Sequence, residues 1–139
     1  MKTMKFLVLV KATKDSEAGK HPEENLIMET MKLNEEMMKA GVLLDAGGLW
    51  PSSQGKRIRL EGETREITDG PFTETKELIG GYWMLQAKSI DEVVEWMKRF
   101  PLDKNGGELE IRRLIDVGDF AKSEEANAMH ERLEKQVRR

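Results

Sequence analysis

The 139-residue chain contains no cysteine, so disulfides, thiolate nucleophiles and cysteine-bound metals are excluded. Histidine is nearly absent too: the two present, His21 and His130, stand alone in a polar loop and a polar tail. Neither has metal-ligand spacing with the other, and no serine lies in a pattern with either, so neither a metal site nor a hydrolase triad is expected. An excess of one charge sign is also missing. Lysine and arginine total 23 against 26 acidic residues, a formal net charge of −3. With no basic, aromatic-interleaved face, nucleic-acid binding is not expected. No apolar run approaches the roughly 20 residues needed to cross a bilayer. The opening "MKTMKFLVLVKATK" has an apolar centre only from Phe6 to Val10, too short for a signal-peptide core, and no small-residue cleavage site follows. It reads as a strand, and the expectation is a cytoplasmic protein with no membrane association and no cofactor.

What is present is a balance of 38% hydrophobic and 35% charged residues, enough for one self-sufficient core. Residues 4–11, "MKFLVLVK", predict a strand apolar on both faces, with Phe6, Val8 and Val10 on one and Leu7 and Leu9 on the other. A polar loop, 13–21, precedes a helix that ends at Gly41. Pro22 suits its first position, and Leu26, Ile27, Met31, Leu33, Met37 and Met38 form its stripe. "VLLDAGGLWP" predicts a second strand, and "KRIRLEG" with "TREIT" around Gly62 a hairpin. "GGYWMLQAK" is again a strand apolar on both faces. Ser89 with Glu92 makes a capping-box pattern ahead of a helix with Ile90, Val93, Val94 and Met97 inward. "ELEIRRLI" predicts the last strand, with Leu109, Ile111, Arg113 and Ile115 on one face and Glu110, Arg112 and Leu114 on the other. The nine methionines are read mainly as helical core. Residues 119–139 predict a polar helix that starts near Ser123, Glu124 and Glu125 and ends near Arg138 and Arg139. Its thin stripe of Ala126, Met129, Leu133 and Val137 packs on the body or on a partner, or frays.

The order strand, helix, strand, hairpin, strand, helix, strand is the split βαβ pattern of an α+β, ferredoxin-like fold (βαββαβ) with an inserted hairpin. The first and third main strands, the two apolar on both faces, take the centre. Two helices cover one sheet face, so the other predicts a homodimer through sheet faces. The domain is expected to occupy 1–118, with 119–139 as a tail.

"LNEEMMKAGVLLDAGGLWPSS", "TDGPFTETKELIGGYWMLQAKSIDEVVEWMKRFPL" and "ELEIRRL" together resemble the DGPF branch of the YCII-related family, over about Met4 to Asp119. The resemblance implies a dimeric α+β barrel. It also implies a link to alternative sigma factors, since some members are encoded beside them. Shorter YCII relatives pair a histidine on the first helix with an aspartate as a proposed acid–base site, and a related enzyme eliminates chloride from a chlorinated hydroquinone. Here Thr30 stands about where that histidine would fall, so the resemblance does not extend to histidine-dependent elimination.

Several residues carry candidate chemistry. Asp69 opens an Asp-Gly-Pro turn, but the residue two on, Pro71, lacks the N–H an aspartate there normally binds. Its carboxylate therefore either supports the turn through the Phe72 N–H or faces a cleft. Phe72 is read as a plug that pins the loop. Glu74 and Lys76 lie on one side of an extended segment and Glu77 on the other, as a solvated ion pair or a ligand-facing one. Asp45 ends an apolar strand beside two glycines. Asn34 is read as a satisfied core amide. Arg112 and Glu110 form an interface pair, or Arg112 binds an anion. Tyr82 is a core or interface aromatic or stacks on a ligand. The leading expectation is a small-molecule-binding protein whose dimer cleft supports carboxylate acid–base chemistry. In it Asp69 or Asp45 accepts a proton, Lys76 or Arg112 stabilises an anion, and Glu74, Glu77 and Tyr82 bind ligand. The alternative is a regulatory or interaction module linked to an alternative sigma factor.

Overall fold

A computed structural model describes residues 2–101, 103, 106–119 and 122–137. Strand β1 (Met4–Lys11) leads through a helical turn, α1 (Lys14–Glu17), to helix α2 (Glu24–Lys39) and strand β2 (Leu43–Gly48). The hairpin β3 (Lys56–Glu61) and β4 (Thr64–Asp69) intervenes before β5 (Ile79–Ala87), α3 (Ile90–Met97), β6 (Leu109–Arg113) and α4 (Glu124–Val137).

The main sheet is four-stranded and antiparallel in the order β2-β5-β1-β6, with the hairpin as a separate two-stranded sheet. The two doubly apolar strands are therefore central, as the ferredoxin-like pattern requires. One face carries the core: Phe6, Val8, Trp83, Leu85 and Ala87 from the sheet against Leu33 and Met37 of α2 and Val93 and Met97 of α3. Phe6, Val8, Met37, Leu85 and Val93 are essentially inaccessible, and each contributes roughly 1.5–3 kcal/mol of transfer free energy. The Trp83 indole N–H donates to Asn34 Oδ1 at 2.7 Å, so Asn34 is the satisfied amide its position predicts.

Local chemistry moves some boundaries. The polar loop after β1 contains α1, because Thr13 and Ser16 cap each other reciprocally. The first hydrogen bond of α2 runs from Ile27 N to Glu23 O, so Glu23 is the N-cap and Pro22 lies outside the helix. Met31 and Met38 lie more than a third of a turn away from Leu33 on the wheel and are exposed, together with Met28. The methionines thus divide between core (Met37, Met97) and surface rather than being mainly core. Ser89 caps α3 by accepting from Glu92 N, while the Glu92 carboxylate accepts from Lys88 N rather than from the cap itself. Strand β6 stops at Arg113, leaving Ile115 exposed. Helix α4 turns Asn127, His130 and Glu134 inward, with Glu134 near Lys5 at 3.6 Å, and its apolar stripe of Met129, Leu133 and Val137 outward. Among the described residues the stripe is therefore exposed. Arg138 and Arg139 lie outside the described residues.

Candidate functional site: one sheet end and the open sheet face

Three chain connections meet at the end of the sheet where β1 finishes and β5 begins. Ala12 N donates to Leu78 O at 2.9 Å and Leu49 N to Gly80 O at 2.9 Å, tying the segments after β1 and β2 to the start of β5. The Asp-Gly-Pro-Phe loop docks on the turn at 52–55. Gly70 N donates to Gly55 O at 3.0 Å. A Cβ at Gly70 would fall 1.7 Å from Ser52 O, so no other residue fits this approach without displacing backbone. The Phe72 N–H donates not to Asp69 but to Ser52 Oγ at 3.0 Å. Ser52 is held in turn by Glu17, whose carboxylate accepts from Ser52 N at 2.9 Å and Ser52 Oγ at 2.5 Å. The Arg57 guanidinium lies over the Phe72 ring, 3.9 Å from its centroid. Asp69 closes the hairpin base by pairing with Lys56 at 2.5 Å, both side chains being well exposed.

These contacts frame an open cleft of about 520 Å³. Leu49, Trp50, Phe72, Leu78 and Ile79 supply its apolar surface, and Glu17, Lys56, Arg57 and Glu77 its charges. Leu78 is buried, whereas Trp50 is 71% exposed.

The second polar constellation lies on the sheet face opposite the core. Strand register places Gly47, Tyr82, Leu9 and Glu110 in one row across it, and Asp45, Met84, Leu7 and Arg112 in the next. The Tyr82 ring leans over Gly47, where a Cβ would be 3.0 Å from the ring edge, and its hydroxyl donates to Asp45 Oδ2 at 3.0 Å. Asp45 Oδ1 accepts from Ala46 N at 2.8 Å. The hydrogen bond from the Tyr82 hydroxyl to Asp45, together with the repulsion a phenolate would feel from the carboxylate, raises the Tyr82 pKa above its usual 10.0. On the other edge Glu110 pairs with Lys11 at 3.2 Å and Arg112 at 3.3 Å, which lower its pKa in that order. Leu7, Leu9 and Met84 form a half-buried apolar stripe between the two edges.

The structure brings Asp45 to Tyr82 and Arg112 to Glu110, on opposite edges of one face. Asp69 sits apart, at the hairpin base. Residues 75–77 form a helical turn rather than an extended segment, so alternation does not sort Glu74 and Glu77: Glu77 lines the cleft and Glu74 is exposed. The Lys76 side chain lies outside the described residues. Thr30 donates to Leu26 O at 2.9 Å within its own helix. Sequence reasoning missed Glu17, Ser52, Trp50 and Arg57, which meet only through contacts between distant segments. A tryptophan flanked by Leu49 and Pro51 directly after a glycine pair was the one available signal.

The family model of the YCII-related domain matches residues 4–118. The chain belongs to the YCII-related family. An uncharacterized protein of Rhizobium meliloti (strain 1021) is similar to it, 25% identical over 97 residues that cover 69% of this chain and 78% of that protein. The YCII-related match takes in β1 through β6 and thus both constellations, and it ends before α4. No helix among the described residues is long and apolar enough to cross a membrane.

Proposed function

We propose that this YCII-related protein binds a small organic molecule in the cleft lined by Trp50 and works as a homodimer joined through its open sheet faces, where Asp45 serves as a proton acceptor outside that cleft. The observation that carries the binding reading is the cleft itself. Its volume of about 520 Å³ and its apolar surface with a few convergent charges support that reading. The half-buried apolar stripe of Leu7, Leu9 and Met84, on the face opposite the core, supports the dimer. Pairing two such faces removes water from Asp45–Tyr82 and Glu110–Arg112, the change that turns surface charges into proton-transfer groups. In this reading Asp45, its second oxygen held by Tyr82, accepts a proton on the paired sheet faces, and Arg112, on the opposite edge, stays with Glu110. Glu77 lines the cleft, Glu74 and Lys76 belong to the segment that leads to it, and Asp69, at the hairpin base, acts through Lys56.

Thermal unfolding against a panel of metabolites tests this directly. A ligand at a hundredfold its Kd adds about 2.7 kcal/mol of native stability. A panel that never raises the melting temperature, with a sigma factor recovered by pulldown instead, would favour a regulatory module and refute the binding reading. If Asp69→Ala binds a found ligand as wild type does and Asp45→Ala leaves any turnover of it unchanged, the carboxylate assignment is wrong. A monomer by light scattering at micromolar concentration removes the dimer.

A further inference from the structure

The charges of the cleft are unequally committed. Glu17 is held by Ser52 and Lys56 by Asp69. Arg57 differs: it lies on the face of Phe72, which takes up the guanidinium's π surface. The N–H groups at the edge of a guanidinium stacked in this way remain directed outward, in the planar fork that matches a carboxylate. Beside it Leu49 and Trp50 are 52% and 71% exposed. Tryptophan is ordinarily among the more buried residues on average, and here it lines a cavity. With Glu17, Glu77, Lys56 and Arg57 the lining carries two charges of each sign. It therefore suits a single negative charge better than two.

Resting on the proposal that the cleft is the binding site, we infer that its ligand is a planar aromatic monocarboxylate. The ring lies against Trp50 and the apolar cleft surface, and the carboxylate is taken by the Arg57 fork. Glu77 disfavours a second carboxylate and accepts from a ring hydroxyl or amino group.

The test is calorimetric titration of the full chain with 4-hydroxybenzoate and indole-3-carboxylate. The controls are 4-hydroxybenzamide, which lacks the charge, and hexanoate, which lacks the ring. The expected result is saturable binding of both aromatic carboxylates, with each control and Arg57→Met weaker by about tenfold or more and Arg57→Lys intermediate. Trp50→Ala weakens the aromatic carboxylates and leaves hexanoate unchanged. Equal binding of the benzamide, or wild-type affinity in Arg57→Met, overturns the ligand class while leaving the cleft as a binding site. If Trp50→Ala dissociates the protein into monomers without altering affinity, Trp50 belongs to the subunit interface and the inference is overturned. Failure of these probes and of the whole metabolite panel removes the binding reading itself.

Discussion

Replacing Gly70 with alanine adds one methyl group at a point where the structure has no room. The new Cβ would stand 1.7 Å from Ser52 O and 2.7 Å from its carbonyl carbon, both backbone atoms that no rotamer change can move aside. Relief requires the Asp-Gly-Pro-Phe loop to lift off the turn at 52–55. That movement breaks Gly70 N to Gly55 O and Phe72 N to Ser52 Oγ and disturbs the Glu17–Ser52 pair. Overpacking of this kind costs about 1–3 kcal/mol, and each of the two neutral hydrogen bonds lost about 1 kcal/mol more, for a total of about 3–5 kcal/mol. For 139 residues that lowers Tm by about 10–17 °C if the loop unfolds with the core. Gly48→Ala is the control, since a Cβ there meets nothing within 4 Å. Thermal unfolding reads the global effect. Hydrogen exchange at Gly55, Gly70 and Phe72 reads the local one, because neither hairpin strand buries a side chain and the loop can open alone. If Gly70→Ala matches Gly48→Ala in both Tm and exchange, the loop is not docked as described.

Other expectations follow from single contacts. Asn34→Ala strands the buried Trp83 N–H and should cost about 1–3 kcal/mol in urea unfolding, whereas Asn34→Asp, which keeps an acceptor, should cost less. Tyr82 is the only tyrosine in the chain, so absorbance titration reports it alone. Its pKa should lie above 10.0 and fall back in Asp45→Asn. Because the folded value is raised, the stability this bond contributes is present below pH 10 and lost as pH rises through the folded pKa. Glu110 has the opposite sign. Lys11 and Arg112 lower its pKa, so its contribution is present above its ordinary 4.5 and lost as pH falls through the folded value, and Glu110→Gln should flatten that acid limb. Leu85→Ala, at a fully inaccessible position, should cost about 2–5 kcal/mol.

The architecture was legible because its signals are local. Alternation in "MKFLVLVK" and "GGYWMLQAK" marks two strands apolar on both faces, and these are the central pair. Gly62 between two alternating runs marks the hairpin, and Ser89 caps its helix. Periodicity was less reliable where apolar residues are dense. In α2 it counted Met31 and Met38 as core, although only residues in phase with Leu33 and Met37 reach the sheet. For α4 it found an apolar stripe but not which side faces the body. There the half-buried positions are polar, and His130 lies 3.2 Å from Glu134.

The motif "TDGPF" shows most clearly what each level decides. Residue chemistry alone established that Pro71 removes the usual donor for Asp69, and that glycine and proline shape the turn. Only the tertiary structure decided where the freed groups go. The Phe72 N–H finds Ser52, Asp69 finds Lys56, and Gly70 is required by a carbonyl 18 positions earlier in the chain. Likewise Asp45 and Tyr82 were each visible as candidates, but their hydrogen bond depends on β2–β5 register and on the missing side chain of Gly47. Periodicity and turn chemistry act over a few residues and can be read along the chain. A cleft assembled from residues 17 to 79 exists only once strand pairing has brought its walls together.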